Sequence, residues 1–332
     1  MSDPDPCLII KLFKQTQIMK ERTQLSLKLI SSHVILVPVL ILISLITNRD
    51  SFLLVSITQT VLIILFLSGY WEFLGLGFKK IYFGTSELII LIVLLSRQLS
   101  LNNEGYNIYL VTILAIIQVW LLFILTKIII VIFKPDKDAL EISFPFKQGK
   151  YLITDGGNSR ISRLMNYHFY SRVHKKKKTN LSMLFATDII KIRNSWVNYM
   201  PPHNVDYPIF GEKVFSPISG LIRRVENGIE DNIPYSGHYP YNTGNTIVIQ
   251  HGNAFMLLGH LKKDSIRVKA GDKVNVNDFI AEAGNSGYSE RPHIHIQLIN
   301  SLTDNYWTGT GISIQYIGKN LYKNRLIKIL GI

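Results

Sequence analysis

Apolar positions are unevenly spread along this chain. Residues 29–47, 51–71 and 105–126 are runs of 19, 21 and 22 residues without a charged side chain. Each is long enough to cross a hydrocarbon layer of ~30 Å as a helix rising ~1.5 Å per residue. A fourth run, residues 81–96, is shorter and holds Glu87. It fits a tilted span, a hairpin or a helix packed against the others. The pattern predicts an N-terminal all-α transmembrane bundle of three to four helices, with four the preferred count.

Beyond Phe133 the apolar runs shorten to strand length and are separated by Gly, Pro, Asn and Asp. Residues 184–192, 220–225, 245–250, 254–258 and 292–298 read as strands, because they are rich in Val, Ile and Leu and bounded by turn residues. A C-terminal all-β antiparallel sheet or sandwich follows. The layout expected is a basic cytoplasmic N-terminus (1–28), a transmembrane region (29–133), a linker (134–149), a β domain (150–302) and a C-terminal extension (303–332).

Charge sharpens this division. Lys and Arg number 36 against 23 Asp and Glu, a net charge of +13. Only eight charged residues fall between positions 29 and 126: Arg49, Asp50, Glu72, Lys79, Lys80, Glu87, Arg97 and Glu104. A basic N-terminus followed by several late apolar runs argues for a retained anchor over a cleaved signal peptide. His33 and Glu87 fit interhelical hydrogen bonds or interfacial positions better than a transport path, because no chain of ionisable groups accompanies them. The positive-inside rule places the N-terminus, Lys79, Lys80 and Lys134 in the cytoplasm if four helices span, which leaves the β domain inside; three spans put it outside.

Composition also limits the chemistry. The single cysteine, Cys7, excludes an internal disulfide framework and a Cys-based zinc cluster. Eight of the nine histidines lie between His168 and His295, so metal or acid–base chemistry belongs to the β domain. The lysines at 175–178 read as a solvated loop. Basic residues are not interleaved with stacking aromatics, so nucleic acid is not an expected partner. His174, His238 and His251 read as loop or turn residues, and Glu226 and Asp231 as loop charges.

The sharpest signal is GNSG at 284–287 followed by PHIH at 292–295. On a strand, residues i and i+2 share a face, so His293 and His295 present two imidazoles side by side. One can bind a metal while its neighbour reaches the site beside it. The stretches VFSPISG (214–220), GNTIVIQHG (244–252), LGHL (258–261) and VKAGDKV (268–274) precede them in order. As an ordered set over residues 150–300 these motifs resemble the lysostaphin-like zinc metallopeptidase family.

That resemblance implies a compact antiparallel β domain with one Zn2+ held by His, Asp and His, and two further histidines beside a water that the metal activates. His295 corresponds to the last metal ligand, while His293 and His260 correspond to the catalytic pair. The first two ligands usually form His-x-x-x-Asp, and two pairs here depart from it differently. His203 and Asp206 are one residue too close and lie among Pro201, Pro202 and Pro208. His168 and Asp188 are 20 residues apart. They resemble relatives with a long insertion after the first ligand, in which GGNS (156–159 here) precedes N-x-H (166–168 here). A carboxylate inside an apolar strand, as Asp188 would be, also needs a partner, which a metal supplies. The resemblance therefore favours His168, Asp188 and His295 as metal ligands.

The function implied is a membrane-anchored zinc endopeptidase that hydrolyses peptide bonds in bacterial peptidoglycan, with the lipid bilayer and a peptidoglycan peptide as partners. Because peptidoglycan lies outside the cytoplasmic membrane, this expects an extracytoplasmic peptidase domain, against the four-span count. The alternative is a non-catalytic module of the same fold that binds wall peptides or regulates a partner.

Overall fold

The computed structural model describes residues 39, 51–74, 76–98, 108–134, 136, 138–170, 180–193, 201–237, 239, 242–302 and 306–330. They fall into two compact units, one helical and one mostly β.

The helical unit contains α1 (Ser51–Ser68), a single turn Trp71–Leu74, α2 (Leu76–Gln98) and α3 (Ile108–Phe133). Most positions of α1 and nearly all of α3 are apolar, and a few polar ties join the helices. Gln118 of α3 donates to the Thr60 hydroxyl of α1 at 2.9 Å in the buried interior. Gln59 of α1 donates from Nε2 to both Glu87 oxygens of α2, at 2.9 and 2.8 Å. Glu87 thus makes the interhelical bond expected of it, and residues 81–96 belong to a longer helix of 23 residues. Among the described residues one helix, Ile108–Phe133, is long and apolar enough to cross a membrane; the apolar part of α1, Leu53–Ser68, is shorter. Apart from Val39, the run at 29–47, His33 included, lies outside the described residues.

The other unit is built on a nine-stranded sheet. Its strands are β2 (Gly149–Asp155), β3 (Thr187–Lys191), β5 (Gly220–Glu226), β6 (Asn245–His251), β7 (Ala254–Leu261), β8 (Lys273–Val274), β10 (Ile294–Asn300), β11 (Thr310–Ile312) and β14 (Leu326–Ile329). The order is β14-β2-β3-β10-β7-β6-β5-β8, with antiparallel neighbours throughout and β11 continuing the edge of β10 that β3 leaves open. Two small sheets join β1 (Leu140–Glu141), β12 (Ile314–Tyr316) and β13 (Lys319–Asn320), and β4 (Lys213–Phe215) with β9 (Phe279–Glu282).

The central strands β6, β7 and β10 are apolar at consecutive positions because both faces of the sheet are covered. Ile247, Ile249, Met256, Leu258, Ile296 and Leu298 enter the main core. Val248, Phe255, Leu257 and Ile299, one residue out of phase, form a second cluster. Truncating one of these buried side chains to Ala costs about 2–5 kcal/mol in comparable cores. The strand expected at 184–192 is shorter, Thr187–Lys191, and follows a 3-10 turn, Leu181–Met183, capped by the Asn180 side chain. Segments flanking residues 150–302 also enter the fold. Ile142, Phe144 and Phe146 fill the core beside Tyr151, whose ring stacks on Phe146 at 4.6 Å. β14 pairs with β2 in the main sheet.

Candidate metal and catalytic site

Sheet register builds the first part of the site. His295 on β10 lies directly opposite Asp188 on β3, and across its other edge it faces Gly259 on β7. Opposed residues in an antiparallel pair share a face. His295 Nδ1 consequently sits 2.9 Å from Asp188 Oδ1. His168 comes from a 3-10 turn, His168–Tyr170, and its Nε2 is 3.2 Å from Asp188 Oδ2. One donor atom from each of His168, Asp188 and His295 lies within 4.8 Å of the others, a group that could hold a metal ion.

Two more imidazoles complete the cluster. His260, at the end of β7, is 4.7 Å from His293 and 5.7 Å from His295 between ring centroids, and His168 is 4.9 Å from His295. His260 occupies left-handed backbone, φ 60°, while its N–H donates to Thr243 O at 2.8 Å. A non-glycine residue held there stores strain that the surrounding hydrogen bonds must offset. His293 precedes β10, and its Nε2 lies 3.6 Å from Asp188 Oδ1.

Every one of these rings is oriented through its other nitrogen. His260 Nδ1 donates to the Ser286 carbonyl at 2.8 Å, and His293 Nδ1 to the Arg291 carbonyl at 2.8 Å. Carbonyls only accept, so both rings keep a bare Nε2. His168 Nδ1 faces Asn166 Oδ1 at 2.8 Å, and His295 Nε2 faces Gln297 Oε1 at 3.0 Å. Gln297 is fully buried, and among the described residues its Nε2 has no hydrogen-bond partner.

The electrostatics separate the rings into two kinds. Burial opposes charge on His168, but the Asp188 carboxylate and then Asp155 outweigh it and raise its pKa. Burial would also raise the Asp188 pKa; the charges of His168 and His293, with hydrogen bonds from His168 and His295, hold it well below the usual value. His260 is pushed well below an ordinary imidazole by burial and then by the neighbouring His293 and His295. Burial likewise lowers His293.

Two imidazoles and one carboxylate are a donor set suited to zinc, which takes N and O ligands and in hydrolytic sites leaves a position for water. The His168 and His295 nitrogens turned away from this group meet amide oxygens, the outer support such ligands require. The donor chemistry therefore fits a zinc ion.

The alternative pair lies elsewhere. His203 is exposed and precedes the 3-10 turn Asn204–Asp206, and among the described residues neither His203 nor Asp206 joins a potential metal-binding group. Asn204 of that turn instead donates to the Asn232 carbonyl and accepts from Asn285. Asp231, read as a loop charge, accepts from the Asn285 and Lys263 backbone N–H groups. Asn166, Gln297 and the Ser286 carbonyl carried no signal in the spacing of His and Asp residues.

Residues 204–306 match the model described as Peptidase family M23, a span holding His260, His293 and His295 but beginning after His168 and Asp188. An "Uncharacterized metalloprotease" of Buchnera aphidicola subsp. Baizongia pistaciae is 41% identical over 71 residues, 21% of this chain and 18% of that protein. The "Peptidoglycan DD-endopeptidase ShyA" of Vibrio cholerae is 35% identical over 100 residues, 30% of this chain and 20% of that protein. This chain thus spans about a fifth of the length of these curated relatives. A solved zinc-containing peptidase from Vibrio cholerae matches at 22% identity with a TM-score of 0.31, covering 51% of this chain and 37% of that one. Residues 204–306 of the β unit are thus similar to Peptidase family M23, and a protein named a peptidoglycan DD-endopeptidase is among the chain's relatives.

Proposed function

We propose that this protein is a membrane-anchored zinc metalloendopeptidase that hydrolyses peptide bonds in bacterial peptidoglycan. The observation that carries the reading is the convergence of His168, Asp188 and His295 beside His260 and His293, whose bare Nε2 atoms are set by backbone carbonyls. The relative named a peptidoglycan DD-endopeptidase supports the substrate class, and one named a glycyl-glycine endopeptidase supports the reaction.

His168, Asp188 and His295 would hold one Zn2+. Zinc, when bound, supplies a Lewis acid and lowers the pKa of water to ~7. Burial keeps His260 and His293 neutral at neutral pH, so their Nε2 atoms can accept a proton from the attacking water. Either ring, once charged, can return that proton to the leaving amine. It can also stabilise negative charge developing on the scissile carbonyl oxygen.

The helical unit serves as the anchor in this reading, with Ile108–Phe133 as one span and the runs at 29–47 and 51–71 as others. Peptidoglycan lies outside the cytoplasmic membrane, so the proposal requires the peptidase domain there, as a three-span count gives. The test is metal analysis and hydrolysis of a peptidoglycan peptide by the full chain and its His295→Ala variant. Zinc at one per chain and hydrolysis, both lost in the variant, are expected. Undiminished hydrolysis by a metal-free preparation would overturn the reading.

A further inference from the structure

The three candidate metal ligands are not held in the same way. Asp188 and His295 sit opposite each other on hydrogen-bonded strands, so the register of β3 and β10 fixes their separation. His168 lies outside the sheet, in a short 3-10 turn. Something other than strand pairing has to deliver its ring to Asp188.

We propose that Asn166 is the positioning residue that does this, by choosing the His168 nitrogen that faces the metal site and tying the turn to the start of β3. The proposal rests on the metal site proposed above. Asn166 is fully buried. Its Nδ2 donates to the Gly157 carbonyl at 2.7 Å and to the Ala186 carbonyl at 2.8 Å. Both partners accept only, so the amide has a single orientation and Oδ1 must point the other way.

Oδ1 receives the His168 backbone N–H at 3.1 Å and faces His168 Nδ1 at 2.8 Å. An amide oxygen cannot donate, so Nδ1 carries a ring hydrogen and Nε2 is the nitrogen turned toward the metal site, 3.2 Å from Asp188 Oδ2. The same side chain holds Ala186, two residues before Asp188 on the chain leading into β3. One amide therefore fixes which ring nitrogen faces the site, the place of the His168 backbone and its distance from the carboxylate.

The experiment has two arms on the full chain purified in detergent. In the metal-free wild type, 15N–1H correlation spectra of the imidazoles should show a hydrogen on His168 Nδ1, whether or not Nε2 carries a second; a bare Nδ1 would overturn the proposal. In Asn166→Ala, Zn2+ affinity measured by chelator competition should fall ~10–100-fold, the loss typical for removing an outer partner of a metal-bound histidine. Affinity within twofold of wild type would overturn it. If Asn166→Ala fails to fold, Asn166→Ser, which removes the amide at a smaller cost in volume, is measured in its place under the same criterion. Neither arm uses hydrolysis, so a protein that binds zinc as expected but cleaves no peptide would count against the peptidase reading and leave this one standing.

Discussion

The site sets two groups of imidazoles against each other within about 5–6 Å. His168 and His295 lean on a carboxylate, and His168 has its pKa raised; His260 and His293 lean on backbone carbonyls and have theirs lowered by burial. The side chain is the same in each case, and the neighbouring acceptor decides its use. A charged acceptor suits an imidazole that is to share a cation with it. A neutral carbonyl in a buried setting suits one that must stay uncharged until a proton arrives.

The strongest way to break this comparison is to delete a member of the first group. His295→Ala should abolish both zinc content and hydrolysis, as read by metal analysis and a peptide assay; retained zinc would place the metal elsewhere. Next comes a member of the second group. His293→Ala should keep its zinc yet lose hydrolysis by ~10²–10⁴-fold, the usual contribution of a positioned acid–base group. Loss of zinc as well would erase the distinction between the groups.

A smaller effect concerns pH and stability. His260 and His293 have folded pKa values below the reference of 6.5, so under acid the unfolded chain binds protons that the folded one refuses. Their contribution is present above 6.5 and is lost as pH falls from there toward the folded values. His168 has the opposite sign: its contribution is full below 6.5 and fades as pH rises through its raised folded value. Denaturant unfolding of the metal-free protein should show stability falling below 6.5, with a shallower fall in His260→Gln; an unchanged slope in that variant counts against burial as the cause. The smallest effect is expected outside both groups. His203→Ala, at an exposed position, should leave zinc content unchanged and alter stability by no more than about 0.5 kcal/mol.

Much of the β unit was legible in the sequence, because runs such as 245–250 and 254–258 combine β-branched or long apolar residues with bounding turns. What escaped was structure whose cause is tertiary. β1, β4, β8 and β13 have two or three residues each and exist through their partners. The pattern could not show that residues 326–329 return to pair with residues 149–152. In the site, spacing pointed to His293 and His295, and resemblance added His168, Asp188 and His260, five residues the fold gathers in one place. The oxygens that orient their rings could not be read the same way. Three are backbone or side-chain carbonyls brought in from positions 166, 286 and 291, where sequence records an ordinary residue and leaves the direction of its oxygen unstated.

The pairing of β14 with β2 bears on how the molecule is made. A nascent chain synthesised as far as residue 302 already holds all five histidine and aspartate side chains of the site, yet the outer edge of β2 has no neighbour until residues 326–329 leave the ribosome. β2 is in turn the support against which the Asp188 strand lies. Completion of the sheet is thereby deferred until translation has passed β14, and a chain stopped before that point holds the right residues on an unfinished scaffold.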